Sequence, residues 1–194
     1  HFTALIHRWK SATAHRVLPV LACIASGLGL ATTAPAAESP ARKPNVIFIM
    51  VDDMGLGDVG CYGGRTLKTP NIDSLAKDGM LLTNAYSGSS VCAPSRCVLM
   101  TGRHTGHCSI RANKELQGEG QTPMTEGYTM ASVLKKAGYT TGLFGKWGLG
   151  FPGSPADPLK SGFDHFFGYN CQRHAHTYYP DWLHDDGRIY QIPE

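Results

Sequence analysis

The chain has 194 residues, of which 42% are hydrophobic and 17% are charged. This composition excludes a disordered, collagen-like or coiled-coil chain and is typical of a Gly-rich globular enzyme or binding domain. The formal net charge is +3, but three of the cations, Arg8, Lys10 and Arg16, precede the first acidic residue, Glu38. From Glu38 onward, basic and acidic residues are equal in number. The charge therefore gives no reason to expect a nucleic-acid partner.

The first part of the chain has the three regions of a secretory signal peptide. A basic stretch is followed by an apolar run over residues 17–30 and then by a small-residue segment, 34–37, with an A-x-A cleavage site. Pro19 interrupts the apolar run, which is shorter than the roughly 20 residues that a membrane span needs. We expect residues 1–37 to be a signal peptide that is removed. The mature chain is then expected to be exported, to the periplasm or the extracellular space, without stable membrane insertion.

After the leader, three apolar segments predict β-strands. Residues 46–51 form a continuous, β-branched run that is typical of a strand buried on both faces of a parallel sheet. Residues 80–86 and 139–144 predict the second and third strands. Residues 148–194, which are rich in Gly, Pro and aromatic side chains, are expected to form long loops over one end of the sheet.

Three helices are predicted between these strands. The first covers residues 70–78, the second starts at Pro94 and ends near Gly102, and the third covers 130–137 after a cap at Thr129. Alternating strands and helices indicate an α/β protein with a right-handed, parallel, layered sheet.

The residues that can carry chemistry follow the predicted strands. Ligands bind beyond the carboxyl ends of parallel strands, so the side chains at these positions are expected to converge. Asp52 and Asp53 follow the first strand, Cys92 and Arg96 lie beyond the second, and Lys146 follows the third.

Each of these groups also has a plain structural interpretation. The acidic pair offers hard oxygen ligands to Ca²⁺ or Mg²⁺, but Ca²⁺ takes six to eight, so Asp52 and Asp53 are half a metal site or a solvated turn. Cys92 lies just before the predicted helix, where a thiolate or a bound sulfate or phosphate is stabilised. Arg96, one turn later, can reach back toward it. The alternative is a structural cysteine near a helix cap.

Five segments occur in a characteristic order: Pro44 to Asp53, Thr69 to Ala76, Cys92 to Arg96, Thr101 to Arg103, and Gly145 to Trp147. Together they resemble the formylglycine-dependent sulfatases, and the arylsulfatase-type branch in particular. The signature of that family is Cys-x-Pro-Ser-Arg followed by Thr-Gly-Arg. The resemblance covers most of the mature chain. It implies an alkaline-phosphatase-like layered fold with a mostly parallel central sheet, truncated here.

The resemblance implies a sulfuric ester hydrolase with specific roles for five residues. A separate maturation enzyme would convert Cys92 to formylglycine, whose hydrated aldehyde attacks the sulfur of a sulfated small molecule or glycan. Asp52 and Asp53 would hold Ca²⁺ or Mg²⁺, which also contacts the residue at position 92. Arg96 would orient the diol, and Lys146 would bind the sulfate oxygens.

Two departures from the family pattern shape these expectations. The family's Gly-Lys-Trp-His-Leu-Gly has Gly148 at the histidine position, so we expect His176, or else His174, to serve the substrate or the diol. The family's second pair of metal ligands, Asp-Asn, has no counterpart up to Glu194. Because the chain also begins with His1 and not Met, we expect residues 38–194 to be the incomplete N-terminal part of a catalytic domain, inactive alone.

Two other function classes remain open from the sequence, and a third has weak support. A phosphatase or phosphodiesterase of the same superfamily would use Ser or Thr in place of Cys92. A non-catalytic protein that binds sulfated glycans on a sulfatase scaffold would explain Gly148. The CxxxxC spacing of Cys92 and Cys97 gives weak support for a redox protein. Cys23 lies in the leader, so four cysteines remain in addition to Cys92: Cys61, Cys97, Cys108 and Cys171. These four are either joined by disulfides, in one of three pairings, or buried as thiols.

Overall fold

A computed structural model describes residues 42–116 and 120–193. The helices in these ranges are α1 (Pro70–Asp78), α2 (Cys92–Thr101), α3 (Met130–Lys136) and α4 (Gln172–Ala175). The strands are β1 (Glu115–Leu116), β2 (Gly120–Gln121), β3 (Gly142–Lys146), β4 (His165–Tyr169), β5 (Trp182–Asp185) and β6 (Arg188–Gln191). Short 3-10 helices cover Leu56–Asp58, Gly60–Tyr62 and Pro158–Lys160. The predicted signal peptide, residues 1–37, lies outside the described residues.

The main sheet contains four strands in the order β3-β4-β5-β6. Strands β3 and β4 are parallel, whereas β4–β5 and β5–β6 are antiparallel. A separate antiparallel pair is formed by β1 and β2. The predicted α/β class is confirmed, with a sheet of mixed strand direction. Lys146, a site residue predicted from the sequence, is the last residue of β3 in the parallel pair.

Two of the three predicted helices occur where their sequence signals indicate. Pro70 begins α1, and Gly79 follows its last residue. The Thr129 hydroxyl caps α3 by accepting a bond from the Ser132 N–H at 3.1 Å, and the Ser132 hydroxyl accepts from the Thr129 N–H at 2.9 Å. Such reciprocal capping satisfies two helix donors that otherwise lack partners.

The second helix begins two residues earlier than predicted. Cys92 is its first residue, and Pro94 occupies the third position. Proline is tolerated there because the first N–H groups of a helix have no intrahelical acceptor. Gly102 ends the helix in the left-handed conformation, at φ 67°, and its N–H donates to the Val98 carbonyl at 2.8 Å. Cys92 is therefore part of a helical turn instead of preceding one.

The predicted strands at 46–51 and 80–86 are wrong for the described residues. Both segments lack strand pairing there, and the side chain of Ile47 is 80% exposed. A strand exists only where a neighbouring strand satisfies its N–H and C=O groups. A continuous apolar run indicates that a segment favours burial, but it does not identify the strand that pairs with it.

The third strand and the final segment also differ from prediction. Strand β3 covers Gly142–Lys146 instead of residues 139–144, so Lys146 lies within the strand and not after it. Residues 148–194 contain β4, α4, β5 and β6 as well as loops. The strands were missed because they are short and are interrupted by glycines or charged residues. Gly168 in β4, for example, lies opposite Gly145 of β3.

The core is centred on Trp147, directly after β3. This side chain is almost fully buried, and its indole N–H donates to the Ala156 carbonyl at 2.8 Å. Phe163 packs edge-on against its ring at 5.8 Å between centroids. These contacts hold the residue that follows β3 in the core.

Across the described ranges, we find no helix with the length and apolar character required to cross a bilayer.

Asp164 joins α3 to the start of the parallel pair and generates a stability prediction. Its carboxylate pairs with the Lys135 ammonium at 2.6 Å and accepts from the Thr141 N–H at 2.9 Å. The hydrogen bond from Lys135 and that from the Thr141 backbone lower the pKa of Asp164 to about 2. Its stabilising contribution is therefore complete above its ordinary pKa and is lost as the pH falls through about 2.

We expect Asp164→Asn to lower the urea midpoint of unfolding at pH 7 and to make the midpoint less dependent on pH between 4 and 2. The exposed Asp78, at the end of α1, provides the control variant Asp78→Asn, which should retain the wild-type pH dependence. An unchanged acid dependence in Asp164→Asn would contradict this account of the contact.

Candidate active site

An open cavity of about 310 Å³ lies at the end of β3. Most of its lining side chains are polar or charged, and they come from three parts of the chain: the turn after residue 51, strands β3 and β4, and the segment around α4. The lining residues are Asp52, Asp53, Lys146, Tyr169, Ala175, His176 and Tyr178. Four of them are among the site residues predicted from the sequence.

The acidic pair reaches the cavity because its backbone turns. Successive side chains of an extended chain point in opposite directions. Asp53, however, adopts a left-handed conformation, with φ 56°, which aspartate tolerates better than most residues do. Both carboxylates consequently line the same cavity.

The Asp52 carboxylate is the centre of a charge cluster. Its Oδ2 atom forms a salt bridge with the Lys146 ammonium, and the same oxygen lies 3.3 Å from the Arg96 guanidinium. Arg96 also donates to the backbone carbonyl of Lys146. The Lys146 side chain is only 7% exposed, so its charge depends on this partner. The cluster connects the turn after residue 51, helix α2 and the end of β3.

Electrostatics keep Asp52 ionised. Partial burial by itself raises the pKa of this carboxyl, but the hydrogen bond and charge of Lys146 and the charges of Arg96 and His176 outweigh it, so the pKa is below its ordinary value. Burial lowers the pKa of Arg96, against the opposing influence of Asp52 and Cys92. The site therefore combines an anionic carboxylate with a ring of cationic or titratable groups.

Cys92 is connected to this cluster through its own helix. It interacts electrostatically with Arg96, which lies one turn further along α2. The Asn113 side chain holds the start of the helix: its Oδ1 accepts from the Ala93 N–H at 3.0 Å, and its amide donates to the Cys92 sulfur at 3.1 Å. Asn113 thus fixes both the helix terminus and the sulfur atom.

The two candidate histidines occupy different surroundings. His176, directly after α4, is exposed and lines the cavity, and its charge acts on Asp52. His174 instead packs among aromatic rings, 4.1 Å from the centroid of Trp182 and 5.1 Å from that of Tyr169. Of the two, His176 is the one brought together with the predicted site residues.

Gly148 lies directly against the side chain of Gln172. The Gln172 amide, at the start of α4, donates to the Gly148 carbonyl at 3.1 Å in a buried position. Gly148 has φ 75°, and a Cβ atom there would lie 2.1 Å from the Gln172 amide nitrogen. The glutamine therefore occupies the space that a side chain at position 148 would need. Its bond ties α4, and with it His176, to the chain that follows Lys146.

Sequence reasoning missed several residues that build this site. Asn113 is 21 positions from Cys92, and nothing in its local sequence indicates the contact. Likewise, no sequence signal indicates the bond from Gln172 to Gly148. Tyr169 and Tyr178 belong to the aromatic-rich segment that was expected to form loops. The tyrosines of this segment were the sequence signal that could have indicated a cavity lining.

No disulfide joins the cysteines of the described residues, which are Cys61, Cys92, Cys97, Cys108 and Cys171. Two groups of three possible metal ligands also occur: Cys97 with Cys108 and Glu126, and His165 with Asp185 and Asp186. Both consist of residues other than the predicted ligands. Burial, with the nearby Glu126 and Cys108, raises the pKa of Cys97, which keeps this thiol neutral within the core.

The acidic pair is the part of the cavity suited to a metal ion. Two carboxylates that face one open cavity provide hard oxygen donors, which match Ca²⁺ or Mg²⁺. They provide only part of a full coordination shell, and one oxygen of Asp52 is already paired with Lys146 and Arg96. The residues present therefore fit a hard divalent cation as part of a larger ligand set.

Comparison with curated proteins identifies relatives at about 40% identity. The chain is 43% identical over 173 residues to arylsulfatase D of Homo sapiens, which covers 83% of this chain and 28% of the relative. It is 40% identical over 164 residues to steryl-sulfatase of Mus musculus, a match that covers 78% of this chain and 26% of the relative. It is also 40% identical over 168 residues to N-acetylgalactosamine-6-sulfatase of Rattus norvegicus, covering 82% and 31%. The chain thus spans between a quarter and a third of these relatives.

Solved structures give a consistent result. The crystal structure of Ps i-CgsB has a TM-score of 0.60 at 29% identity, covering 73% of this chain and 36% of that one. A second structure of Ps i-CgsB, in complex with k-i-k-neocarrahexaose, has a TM-score of 0.59 at 27% identity, covering 73% and 36%. Residues 44–191 also match the sequence model of the family described as Sulfatase. The chain therefore belongs to the sulfatase family.

Proposed function

We propose that the intact protein hydrolyses sulfate esters and that the cavity beside Lys146 is its active site. The observation that carries this proposal is the nearly buried Lys146 ammonium, which shares Asp52 with Arg96 at the edge of an open cavity. A sulfate ester is a small anion that needs such cations. The names of the relatives, all sulfatases, support the same reaction.

Two residues that line the cavity and two that lie near it have separate roles in this proposal. Lys146 binds the sulfate oxygens and stabilises the charge that spreads over them during S–O cleavage. Arg96, one turn from Cys92, orients the group at that position. His176 accepts or returns a proton at the reacting hydroxyl, because imidazole exchanges protons near neutral pH. Asn113 holds the residue at position 92 in place.

We further propose that Cys92 is converted to formylglycine by a maturation enzyme in an exported precursor. When hydrated, formylglycine supplies the oxygen nucleophile for attack on sulfur. Support comes from the complete Cys92-x-Pro94-Ser95-Arg96 segment and from the half-buried position of Cys92 at the first turn of α2. The four other described cysteines lack this sequence context.

Asp52 and Asp53 would hold a divalent cation, Ca²⁺ or Mg²⁺. Such an ion supplies electrostatic stabilisation of the negative charge that develops on the sulfate. Further ligands would come from the remainder of the catalytic domain. We propose that residues 38–194 are the N-terminal part of that domain, since the chain covers 26–31% of the relatives compared above.

The substrate is proposed to be a sulfated small molecule or glycan. One structural neighbour is a complex with k-i-k-neocarrahexaose, which supports a glycan. A direct assay compares 4-nitrophenyl sulfate with 4-nitrophenyl phosphate on the intact protein. We expect hydrolysis of the sulfate to be faster. Preferential hydrolysis of the phosphate would favour the phosphatase alternative instead.

The identity of the nucleophile gives the first prediction about activity. After co-expression with a maturation enzyme, peptide mass spectrometry should detect an aldehyde at position 92 that reacts with a hydrazide. Cys92→Ala should lose all measurable turnover, because no neighbouring group provides a diol. Cys61→Ala, which changes another half-buried cysteine, is the control and should remain active. An unmodified thiol in active protein would contradict the prediction, and in inactive protein it would favour a glycan-binding role.

The role of Lys146 gives a second prediction. Lys146→Met should lower kcat by about 10²- to 10³-fold, as removal of one stabilising donor does in other enzymes. Lys136→Met, at an exposed lysine on α3, should leave kcat unchanged. Thermal unfolding of both variants separates a catalytic effect from a loss of folding. A Lys146→Met enzyme with a kcat near the wild-type value would exclude Lys146 from sulfate binding.

The two histidines provide a matched pair for the third prediction. His176→Ala should lower kcat by at least about 10²-fold, the lower range for a general acid or base, and it should leave Tm unchanged because His176 is exposed. His174→Ala should lower Tm, since its ring packs between Tyr169 and Trp182, with a smaller effect on kcat. If both variants stay within a few-fold of wild type, neither histidine transfers the proton.

A further inference from the structure

Tyr178 has a backbone conformation that is unusual for a bulky residue. Its φ is 60°, and the N–H of Tyr179 donates to the carbonyl of Thr177 at 2.7 Å across it. This is the pattern of the positive-φ γ-turn, which is rare and strained. In the described ranges, positive φ otherwise occurs at glycines and at two aspartates, Asp53 and Asp186. Tyr178 is thus the one bulky side chain held in this conformation there.

Packing among the described residues does not explain the strain at Tyr178. This residue is 74% exposed, and the neighbouring Tyr179 is 94% exposed. An aromatic ring normally stabilises a fold by burying its large surface, and the described residues do not bury this one. Strained residues occur preferentially at active sites and ligand sites. The strain therefore points to a contact with a group other than the described residues.

The position of the ring indicates where that contact lies. Tyr178 lines the same cavity as Asp52, Lys146 and His176. The Lys146 side chain is nearly buried, at 7% exposed, whereas Tyr178 is largely exposed. A ligand whose anionic group reaches Lys146 lies in the cavity that Tyr178 also lines.

The chemistry of the lining favours a carbohydrate over an aryl or steroid group. Pockets for apolar ligands are lined mainly by hydrophobic side chains, whereas Ala175 is the one aliphatic residue that lines this cavity. A sugar ring presents hydroxyls to polar neighbours and a C–H face to an aromatic ring. Tyr178 provides such an aromatic ring in the cavity lining, and the next residue, Tyr179, is also exposed.

We propose that Tyr178 is a substrate-binding residue that stacks on a sugar ring of a sulfated oligosaccharide. This inference rests on the proposed function, because the sulfate has to lie at Lys146. Tyr178 lines the cavity from a left-handed backbone, and the substrate provides packing that the described residues do not. Tyr178 then determines which sulfate esters bind well, while the charged residues perform the reaction.

The test uses the intact protein and the variants Tyr178→Gly, Tyr178→Phe and Tyr86→Gly. Glycine relieves the strain, so Tm should be equal to or above that of wild type. For a sulfated disaccharide, Tyr178→Gly should raise KM at least tenfold with kcat within a few-fold. For 4-nitrophenyl sulfate, KM should change less than threefold. Tyr178→Phe keeps the ring and should resemble wild type, as should Tyr86→Gly, which changes another exposed tyrosine.

An unchanged KM for the disaccharide in Tyr178→Gly would overturn the proposal. A lower Tm with an equal loss of activity on both substrates would also overturn it, because that result indicates a structural role. A loss of activity confined to 4-nitrophenyl sulfate would do the same, because it indicates an aryl substrate. If the wild type hydrolyses neither ester, the proposed function fails. Calorimetric titration of the disaccharide then decides the role of Tyr178: binding weakened by Tyr178→Gly supports it, and absent or unchanged binding refutes it.

Discussion

The shared carboxylate of Asp52 is the interaction on which the site depends. It joins three segments that are distant in sequence: the turn after residue 51, helix α2 through Arg96, and the end of β3 through Lys146. A nearly buried ammonium requires a compensating charge, because its desolvation is otherwise unfavourable. Asp52 supplies this charge and also lines the cavity beside Asp53. Carboxylates and cationic side chains are thereby placed side by side.

The surrounding contacts hold this cluster in a defined geometry. Trp147 anchors the chain directly after Lys146 in the core. The Gln172 amide, bonded to Gly148, ties α4 to the same segment, and α4 is followed by His176. Asn113 does the equivalent for the start of α2 and for Cys92. The reacting groups are therefore supported by neighbours with few alternative positions, as electrostatic stabilisation of a reacting anion requires.

The sequence predicts some elements of this arrangement better than others, for physical reasons. Helix α1 and the cap of α3 follow from local signals, Pro70 and Thr129, because helix termini are satisfied by residues nearby in sequence. The strand expected at 46–51 depends on a distant partner, and so does not follow from its own apolar pattern. The acidic pair, Arg96 and Lys146 were selected by their positions after predicted strands, and their roles were predicted from a family resemblance.

The contacts among the site residues required the structure. The bond from Asn113 to Cys92 and that from Gln172 to Gly148 join residues 21 and 24 positions apart. Neither residue type nor spacing indicates such contacts in advance. The strained φ of Tyr178 is similarly invisible in a sequence, because tyrosine rarely adopts it.

The proposed function requires that a sulfate group binds at the Lys146 end of the cavity. Calorimetric titration of inorganic sulfate, the proposed reaction product, into the intact protein measures this binding. We expect saturable binding that competes with the substrate and is weakened at least tenfold in Lys146→Met. Equal sulfate affinity in the two proteins, or inhibition by sulfate that does not compete with the substrate, would contradict it.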